Sequence, residues 1–530
     1  MSSRCLALVS GIVAAASLVH GQEFRATLTG RVLDSAGAHV PNAKVRVTNA
    51  TTGELREVIT DSQGNYLLPL LNPATYSIRA EHDGFKTSVK EGLQLNVNQT
   101  ATVDLQLEVG AMSTQVTVIA ETPLLEDANA DRGGLVDEQS VKEYPLNTRN
   151  PFMLAMLSPG VNFDGELTYQ RPFDNGAIAE WSINGSQRKN EFLLDGAPNN
   201  SQAGGNNIAF VPPVDSVQEF KIQSNSYDAQ YGRSAGGIIN VALKSGGNRL
   251  HGTVYEFARR NAWDANSFQN NSRCITVDAN GKCHGAPKDG HWLDQYGAQL
   301  DGPVYIPKLY NGRNKTFFLF NYERYNEGTP QPLILSVPEP EMRRGDFSKL
   351  VDARNRTITI YDPNTGRQQG SQWVRDPFPG DIIPRDRINA TALQLIKYFP
   401  LPNTSTPGAG YSTSNLFISG GDGTARDKFY NLVAKIDQNL GPKHRLFVRF
   451  GNNDRKELRT NNGIFDKPGA DGQLPLRRAN WTGALDWTGS LTPTLLVDVR
   501  ASLSRFIDPS TADANRNFDL VGAGFSPKLA

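Results

Sequence analysis

Several features that would point to common protein classes are scarce in this sequence. The 530 residues include only three cysteines, and the seven histidines are scattered along the chain. We find no recognisable zinc motif, catalytic triad or P-loop, which argues against a hydrolase or an ATPase. Lysine plus arginine equals aspartate plus glutamate, at 54 each, so no excess of positive charge points to nucleic acid. We therefore expect no enzymatic activity, no cofactor or metal, and no nucleic-acid partner.

Long apolar runs are also missing beyond the N-terminus, so no later segment is a candidate membrane helix. Residues 1–21 contain an apolar stretch from Leu6 to Val19 behind Arg4, and they end in Val19-His20-Gly21. This pattern predicts a secretory signal peptide. A membrane anchor is the alternative, but the stretch is short for spanning a bilayer. The exported chain is then either free of the membrane or a membrane β-barrel, whose strands give a much weaker signal.

The residues that are abundant in this sequence favour β-structure. The chain has 49 glycines and 31 prolines, and long helical patterns are rare, which indicates a β-rich protein with many turns. Its length predicts three or more domains. Cys274 and Cys283 enclose a short loop, and in an oxidising compartment we expect a disulfide between them. A metal site with His284 and His291 is the weaker alternative, because the spacing fits no familiar zinc pattern.

Residues 22–109 alternate between apolar and polar in short segments that are separated by turns. The segments Thr27–Leu33, Lys44–Asn49 and Tyr76–Glu81 predict strands, and T-V-D-L-Q-L-E-V would bury Val103, Leu105, Leu107 and Val109. The spacing is typical of a β-sandwich. G-R-V-L-D, T-D-S-Q-G-N-Y and G-F resemble the carboxypeptidase regulatory-like family, a transthyretin-like sandwich, although Ala74 replaces its usual glycine. No peptidase activity is expected, because the only His-x-x-Glu pair straddles the signal cleavage region.

Residues 110–129 form a predicted linker, which contains one segment of interest and overlaps the start of a second. The β-branched stretch S-T-Q-V-T-V-I-A can add as a strand to another protein's sheet, or it can complete the local fold, which periodicity alone favours. Asp127 to Glu138 carries acidic residues at EF-hand spacing, but Arg132 stands where that loop needs glycine. We interpret this second segment as a solvated acidic loop.

Residues 130–249 mix short helical and strand-like patterns, which predicts a compact α+β domain. Two helical patterns are interrupted at Pro145 and end at Pro159-Gly160. L-D-G, V-D-S-V-Q-E-F-K-I and Y-G-R-S-A-G-G-I-I-N-V follow, and together they resemble the plug domain of TonB-dependent outer-membrane receptors. P-L-N-T-R-N and S-P-G-V resemble the Oar-like branch of that family. The motif residues are Leu194, Asp195, Gly196, Val214, Val217, Phe220, Tyr231, Gly232, Gly236, Gly237 and Asn240.

The resemblance covers roughly residues 24 to 510 in the family's order and implies a function. It implies an outer-membrane receptor that binds an external solute, such as a carbohydrate, peptide or chelate, and imports it with energy from a periplasmic TonB-type transducer. By the same resemblance, the segment that contacts the transducer is Val116, Thr117, Val118, Ile119 and Ala120. The alternative is a secreted or surface adhesin whose N-terminal sandwich binds carbohydrate by stacking it on Tyr66, Tyr76 and Phe85.

Residues 250–530 show longer segments in which apolar and polar residues alternate, as in outer-membrane strands. In Tyr430–Asp437, for example, Tyr430 and Ile436 share one face while Lys435 and Asp437 lie on the other. G-P-K-H then predicts a tight turn, and the returning segment R-L-F-V-R-F places Val448 opposite Arg449. A soluble sandwich also alternates and is the competing interpretation. The stretch from Gly328 to Lys428 predicts a long external loop with a helical turn near Thr391 to Tyr398.

Only about six to ten strands can be counted by alternation, whereas barrels of this family have about 22. We therefore expect residues 250–530 to be the N-terminal portion of a barrel that lacks its C-terminal part. The predicted fold is mainly β: a transthyretin-like β-sandwich, an α+β plug domain and a partial transmembrane antiparallel β-barrel.

Overall fold

The structure is a computed structural model of the chain. It describes residues 23–112, 115–119, 132–164, 171–172, 181–187, 189–201, 207–227, 230–232, 234–266, 268, 271, 276–284, 288, 290–330, 333–352, 354–403, 413–418, 424–458, 475–492, 495–507 and 519–529. The predicted signal peptide, Cys274 of the predicted disulfide, Ala120 and residues 127–131 of the predicted acidic loop lie outside these residues, whereas residues 132–136 of that loop form a strand. Within the described ranges, none of the helices is both long enough and apolar enough to cross a bilayer.

The N-terminal region is a sandwich of two sheets, called here the sandwich domain. Its strands are β1 (Ala26–Asp34), β2 (Lys44–Asn49), β3 (Leu55–Ile59), β4 (Asn65–Leu71), β5 (Ala74–Glu81), β6 (Thr87–Leu95), β7 (Thr100–Thr102), β8 (Leu105–Leu107) and β9 (Gln115–Ile119). One sheet has the order β4-β1-β7, with β8 also on β1, and the other has the order β3-β2-β5-β6-β9. Tyr76, Ile78 and Ala80 are buried between the sheets, as their alternation predicted.

The closing segment of the sandwich differs from the prediction. Instead of one strand, β7 and β8 pair separately with β1, and the Asp104 side chain between them accepts the Arg31 backbone N–H at 2.8 Å. Val103, Leu105 and Leu107 are buried, but Val109 is 72% exposed. The prediction for Val109 was wrong because β8 ends at Leu107, so the alternation continues beyond the sheet that would cover it.

Residues 132–243 form a second unit, called here the central domain. Its strands are β10 (Arg132–Val136), β11 (Val161–Phe163), β12 (Trp181–Ile183), β13 (Ser186–Gln187), β14 (Glu191–Leu194), β15 (Ala197–Pro198), β16 (Asn200–Ser201), β17 (Asn207–Ile208), β18 (Val217–Asn225) and β19 (Ile238–Leu243). Five of them form one sheet in the order β10-β18-β19-β14-β15. Trp181, Phe192 and Phe220 lie in its apolar core.

Two short helices lie between β10 and β11. An α-helix, Glu138–Glu143, begins at Asp137, whose side chain accepts the Ser140 N–H, and ends at Tyr144 before Pro145. The second helical pattern forms a 3₁₀ helix, Pro151–Leu157, which Asn150 caps. The helical segments predicted around Pro145 and before Pro159 are therefore present.

The remaining strands are dominated by a seven-stranded antiparallel sheet, called here the large sheet. Its order is β20-β23-β26-β31-β32-β33-β34, and consecutive members pair in long, continuous register. The strands beyond the central domain are β20 (His251–Arg260), β21 (Thr276–Val277), β22 (Cys283–His284), β23 (Trp292–Pro303), β24 (Tyr305–Ile306), β25 (Tyr310–Asn311), β26 (Thr316–Pro330), β27 (Leu333–Leu335), β28 (Arg367–Gln369), β29 (Gln372–Val374), β30 (Leu416–Ile418), β31 (Thr424–Asn439), β32 (His444–Leu458), β33 (Pro475–Thr492) and β34 (Leu495–Ile507).

The large sheet is apolar on its exposed face and polar on its covered face. Ile436, Val448 and Leu485 lie side by side on neighbouring strands and are 51%, 43% and 44% exposed. On the opposite face Lys435 and Arg449 pair in register and are each 3% exposed. A soluble sandwich would place its leucines inside and its charges outside. The alternation is inverted here, as a membrane barrel requires.

The long connection between β26 and β31 is described in residues 333–352, 354–403 and 413–418. It contains the helix Ala390–Leu395 and the 3₁₀ turn Ile396–Tyr398, where the helical turn was predicted. The Arg343 guanidinium donates hydrogen bonds to the carbonyl oxygens of Ile396, Phe399 and Pro400. One half-buried arginine thus caps the last carbonyl groups of the helical turn.

Candidate functional site at the contact between the central domain and the large sheet

The L-D-G motif places a buried carboxylate against the large sheet. Asp195 and Gly196 have φ angles of 48° and 69° and connect β14 to β15 as a two-residue turn. Two positive φ values define a type I′ turn, for which Asp-Gly is a preferred sequence. The Asp195 side chain is fully buried, and one of its oxygens accepts the Leu243 N–H at 2.9 Å.

Two cations of the large sheet neutralise this carboxylate. Arg449 Nη1 lies 3.4 Å from one Asp195 oxygen and donates to the Leu194 carbonyl at 2.8 Å. Lys435 Nζ lies 3.6 Å from the other oxygen. A buried charge is tolerated only when it is paired and hydrogen-bonded. The buried charge of Asp195 therefore requires the two cations of the large sheet, and the buried charges of those cations require Asp195.

A second polar contact comes from the loop P-L-N-T-R-N. The Arg149 guanidinium is stacked over the rings of Tyr255 and Phe257, at 4.4 and 4.7 Å from their centroids. It forms an ion pair with Asp215 of the central domain and lies 3.7 Å from Glu323 of the large sheet. Arginine is suited to this position because its planar guanidinium can stack and bind carboxylates at once.

A row of polar side chains crosses the covered face of the large sheet. Glu323, Asn431, Asn453 and Asn480 follow each other in register on four adjacent strands, and all are buried. The Asn431 amide donates to the Val211 carbonyl of the central domain at 2.7 Å. The central domain thus contacts the sheet through hydrogen bonds and ion pairs, in addition to apolar contacts such as those of Leu319 and Val433. Water can also satisfy these polar groups when the two units separate.

The stretch Y-G-R-S-A-G-G supplies close approaches that only glycine permits. A Cβ atom at Gly236 would lie 2.3 Å from Asn190 Oδ1, and one at Gly237 would lie 2.6 Å from Ile183 Cδ1. Gly232 has open space around it within 4 Å. Two of the three glycines are therefore required by the packing of β19 against its neighbours.

The structure brings most of the other predicted motif residues into the same unit. Leu194, Val217, Phe220 and Asn240 lie on β14, β18 and β19 of one sheet, and all are buried. Val214 begins the 3₁₀ turn before β18, and Tyr231 packs with Leu193 and Ile238.

The segment predicted to contact a transducer lies in the sandwich domain. Val116 to Ile119 belong to β9, which pairs in parallel with β6 in the register Ser88 to Val116. β9 is the edge strand of its sheet, the position at which a strand from another protein can be added.

The aromatic side chains considered for sugar binding do not form an exposed surface. Tyr66 and Tyr76 are buried in the sandwich core, where their hydroxyls donate to the carbonyl oxygens of Val103 and Asn72 at 2.5 and 2.8 Å. Phe85 packs against the same core. Tyr66 and Tyr76 are therefore not placed to stack on a sugar, and Phe85 is half-buried.

Sequence reasoning did not identify the partners of Asp195 and Arg149. Alternation placed Lys435 and Arg449 on the polar face of their strands, but which carboxylate they would meet depends on how the central domain docks. Arg149 could be singled out by the motif P-L-N-T-R-N, but the sequence did not indicate that it would lie next to Glu323.

With this geometry established, the comparisons with known families define the class of protein. The Outer membrane beta barrel domain family matches residues 242–529, and the Carboxypeptidase regulatory-like domain family matches residues 27–108. The chain belongs to the outer-membrane β-barrel family, and its location is the cell outer membrane. The predicted mainly-β fold with an N-terminal sandwich is confirmed.

The chain is also similar to one named transporter in sequence and to two solved structures. The chain is 31% identical over 316 residues to the TonB-dependent transporter Oar of Myxococcus xanthus, a match that covers 57% of this chain and 28% of that protein. Among solved structures it is similar to the outer membrane transporter YddB of Escherichia coli, with 11% identity, a TM-score of 0.41, and coverage of 71% and 39% of the two chains. It is also similar to the siderophore receptor PirA of Acinetobacter baumannii, with 10% identity, a TM-score of 0.37, and coverage of 71% and 40%. The chain thus spans less than half the length of these relatives.

Proposed function

We propose that this chain acts in a TonB-dependent outer-membrane receptor that binds an external solute and admits it when a periplasmic transducer acts. The observation that carries the proposal is the covered face of the large sheet. Its charges are buried under the central domain, while the opposite face is apolar and exposed. A domain that fills the polar side of a membrane sheet is positioned as a plug.

In this proposal the units keep their predicted boundaries. Residues 1–21 are the signal peptide, 22–109 the sandwich, 110–129 the linker, 130–249 the plug and 250–530 the N-terminal portion of the barrel. The ion pairs of Asp195 and Arg149 hold the plug in place, and Val116 to Ala120 contact the transducer. The chain has no catalytic role of its own, in keeping with relatives that are named as transporters and receptors.

Site-specific crosslinking tests this function. Thr117 is exposed on β9, and Leu67 is exposed on β4 of the other sheet. A Thr117→Cys variant should crosslink to the TonB-type transducer of the same cell, and a Leu67→Cys variant should not. Equal yields at both positions, or none at Thr117, would contradict the proposed contact.

The strand-addition mechanism has its own control. A Thr117→Pro substitution removes a backbone N–H and disfavours strand pairing. Crosslinking through a cysteine at the neighbouring Val116 should therefore fall sharply in the proline variant. Unchanged yield would show that the contact does not use strand addition.

A further inference from the structure

One end of the sandwich domain is built into the junction between the central domain and the large sheet. The Tyr231 hydroxyl donates to the Glu23 carbonyl at 2.7 Å, and Lys221 Nζ donates to the Asn98 carbonyl at 3.2 Å. The Glu219 carboxyl group accepts the Val97 N–H. The start of β1 and the turn between β6 and β7 are thus bonded to the central domain.

The same end of the sandwich forms a charged cluster with the large sheet. Arg25 is 3% exposed and lies 2.7 Å from Glu23, 3.3 Å from Asp486 on β33 and 2.7 Å from Asp498 on β34. Arg500 on β34 lies 2.8 Å from Asp486 and 3.6 Å from Glu23. One buried arginine of the sandwich is therefore held by carboxylates on two barrel strands.

An apolar cluster joins all three units at this point. Its members come in pairs from the sandwich, the central domain and the large sheet: Phe24 and Val97, Ala197 and Ala242, Phe447 and Ala484. The rings of Phe24 and Phe447 meet edge to face, with centroids 6.5 Å apart. No two of these units could separate here without disturbing the third.

A second contact lies on a different loop of the sandwich. The Asn248 N–H, in the segment between the central domain and β20, donates to the Thr51 carbonyl at 3.1 Å. Glu54 lies 3.8 Å from Arg445 on β32. Two separate contacts fix the orientation of the sandwich, which a single flexible tether would not.

We propose that the sandwich domain is a brace that holds the central domain against the large sheet, so that release of the sandwich loosens the central domain. The inference rests on the proposed function, since a brace of this kind has a role only if the central domain moves. The polar character of the junction makes release feasible. A buried ion pair is only slightly more stable than the same two ions separated and hydrated. Removing one partner is nevertheless costly, because the other charge is left buried and unpaired.

Amide hydrogen exchange of the full chain in lipid nanodiscs tests the brace. Arg25→Gln leaves Asp486 and Asp498 without their sandwich partner, so exchange in β18 and β19 of the central domain should rise on the order of a hundredfold. The matched control is Arg79→Gln, which removes an exposed arginine paired with Glu81 within the sandwich. The control should stay within about twofold of the unsubstituted chain.

A disulfide provides a second arm that works in the opposite direction. A Cβ atom at Gly247 would lie 2.5 Å from Thr51 Cγ2, so Thr51→Cys with Gly247→Cys brings two cysteines within reach of each other. Cys274 and Cys283 are replaced by serine in this background. Oxidation should return exchange in β18 and β19 of the Arg25→Gln chain towards its original rate, and reduction should reverse the effect.

Two outcomes would overturn the brace. One is faster exchange in Arg25→Gln that is confined to the sandwich, with β18 and β19 unchanged. The other is an oxidised disulfide that leaves the loosened central domain unaffected. Neither measurement needs a transducer or a solute, so failure of the Thr117 crosslink would count against the proposed function and not against the brace.

Discussion

Asparagine at position 195 removes the charge that joins the central domain to the large sheet while keeping the shape of the turn. Asparagine tolerates positive φ and can still accept the Leu243 N–H. Arg449 and Lys435, which lie 3.4 and 3.6 Å from the Asp195 oxygens, would remain buried without a counter-charge. Breaking a buried pair from one side costs about 3–5 kcal/mol. This corresponds to a roughly 10²–10⁴-fold increase in the open population of the interface.

Hydrogen exchange at Leu243 and along β14 measures that population directly. Asp294→Asn is the control, because its partner Arg260, at 2.5 Å, is partly exposed and such pairs are worth about 1 kcal/mol or less. Adding Arg449→Gln to Asp195→Asn should recover part of the loss, since one orphaned cation is then removed. If Asp195→Asn exchanges no faster than Asp294→Asn, the carboxylate does not hold the two units together and the reasoning fails.

Two further predictions concern the central domain. Burial raises the pKa of Glu219 to about 8 from its ordinary 4.5, against the opposing effects of the Val97 N–H and Lys221 and with support from Asp137 and Glu138. Because the folded-state pKa is raised above the unfolded value, the folded junction around Val97 is most stable below about pH 4.5 and loses stability as pH rises towards 8. Protection of the Val97 amide, corrected for intrinsic exchange, should fall between pH 5.5 and 7.5 and become pH-independent in Glu219→Gln; a flat profile in the unsubstituted chain would contradict this. Gly236→Ala places a Cβ atom 2.3 Å from Asn190 Oδ1 and should destabilise the central domain by about 1–3 kcal/mol in urea unfolding followed by tryptophan fluorescence. Gly232→Ala, with open space around it, should have almost no effect, and equal midpoints for the two variants would refute the packing argument.

The strands and their faces could be predicted from the sequence because they are local properties. The turn Gly441-Pro442 and the alternation on either side predicted the hairpin of β31 and β32, including which face carries Lys435 and Arg449. The turn at Asp195 is also a local feature, since Asp-Gly is a preferred type I′ sequence, although L-D-G was noted only as a motif. These signals need only a few adjacent residues.

The contacts between units could not be predicted in the same way. Arg25 pairs with Asp486 and Asp498, far along the chain, and nothing in the residues around it indicates that the sandwich docks there. β9 illustrates a related limit, since its alternation fits both a local strand and a strand offered to a partner. Pairing of distant charges depends on the relative placement of folded domains, which one sequence does not encode in any local pattern.

Spin labels on adjacent residues of the large sheet test the central claim most directly. Phe447 and Ala484 face the covered side, and their neighbours Val448 and Leu485 face outward. In lipid bilayers, labels at positions 448 and 485 should be accessible to oxygen and shielded from a water-soluble nickel chelate, and labels at 447 and 484 should show much lower access to oxygen. The reverse pattern, or free access of the nickel chelate to 448 and 485, would show that the apolar face does not contact lipid and would contradict the account.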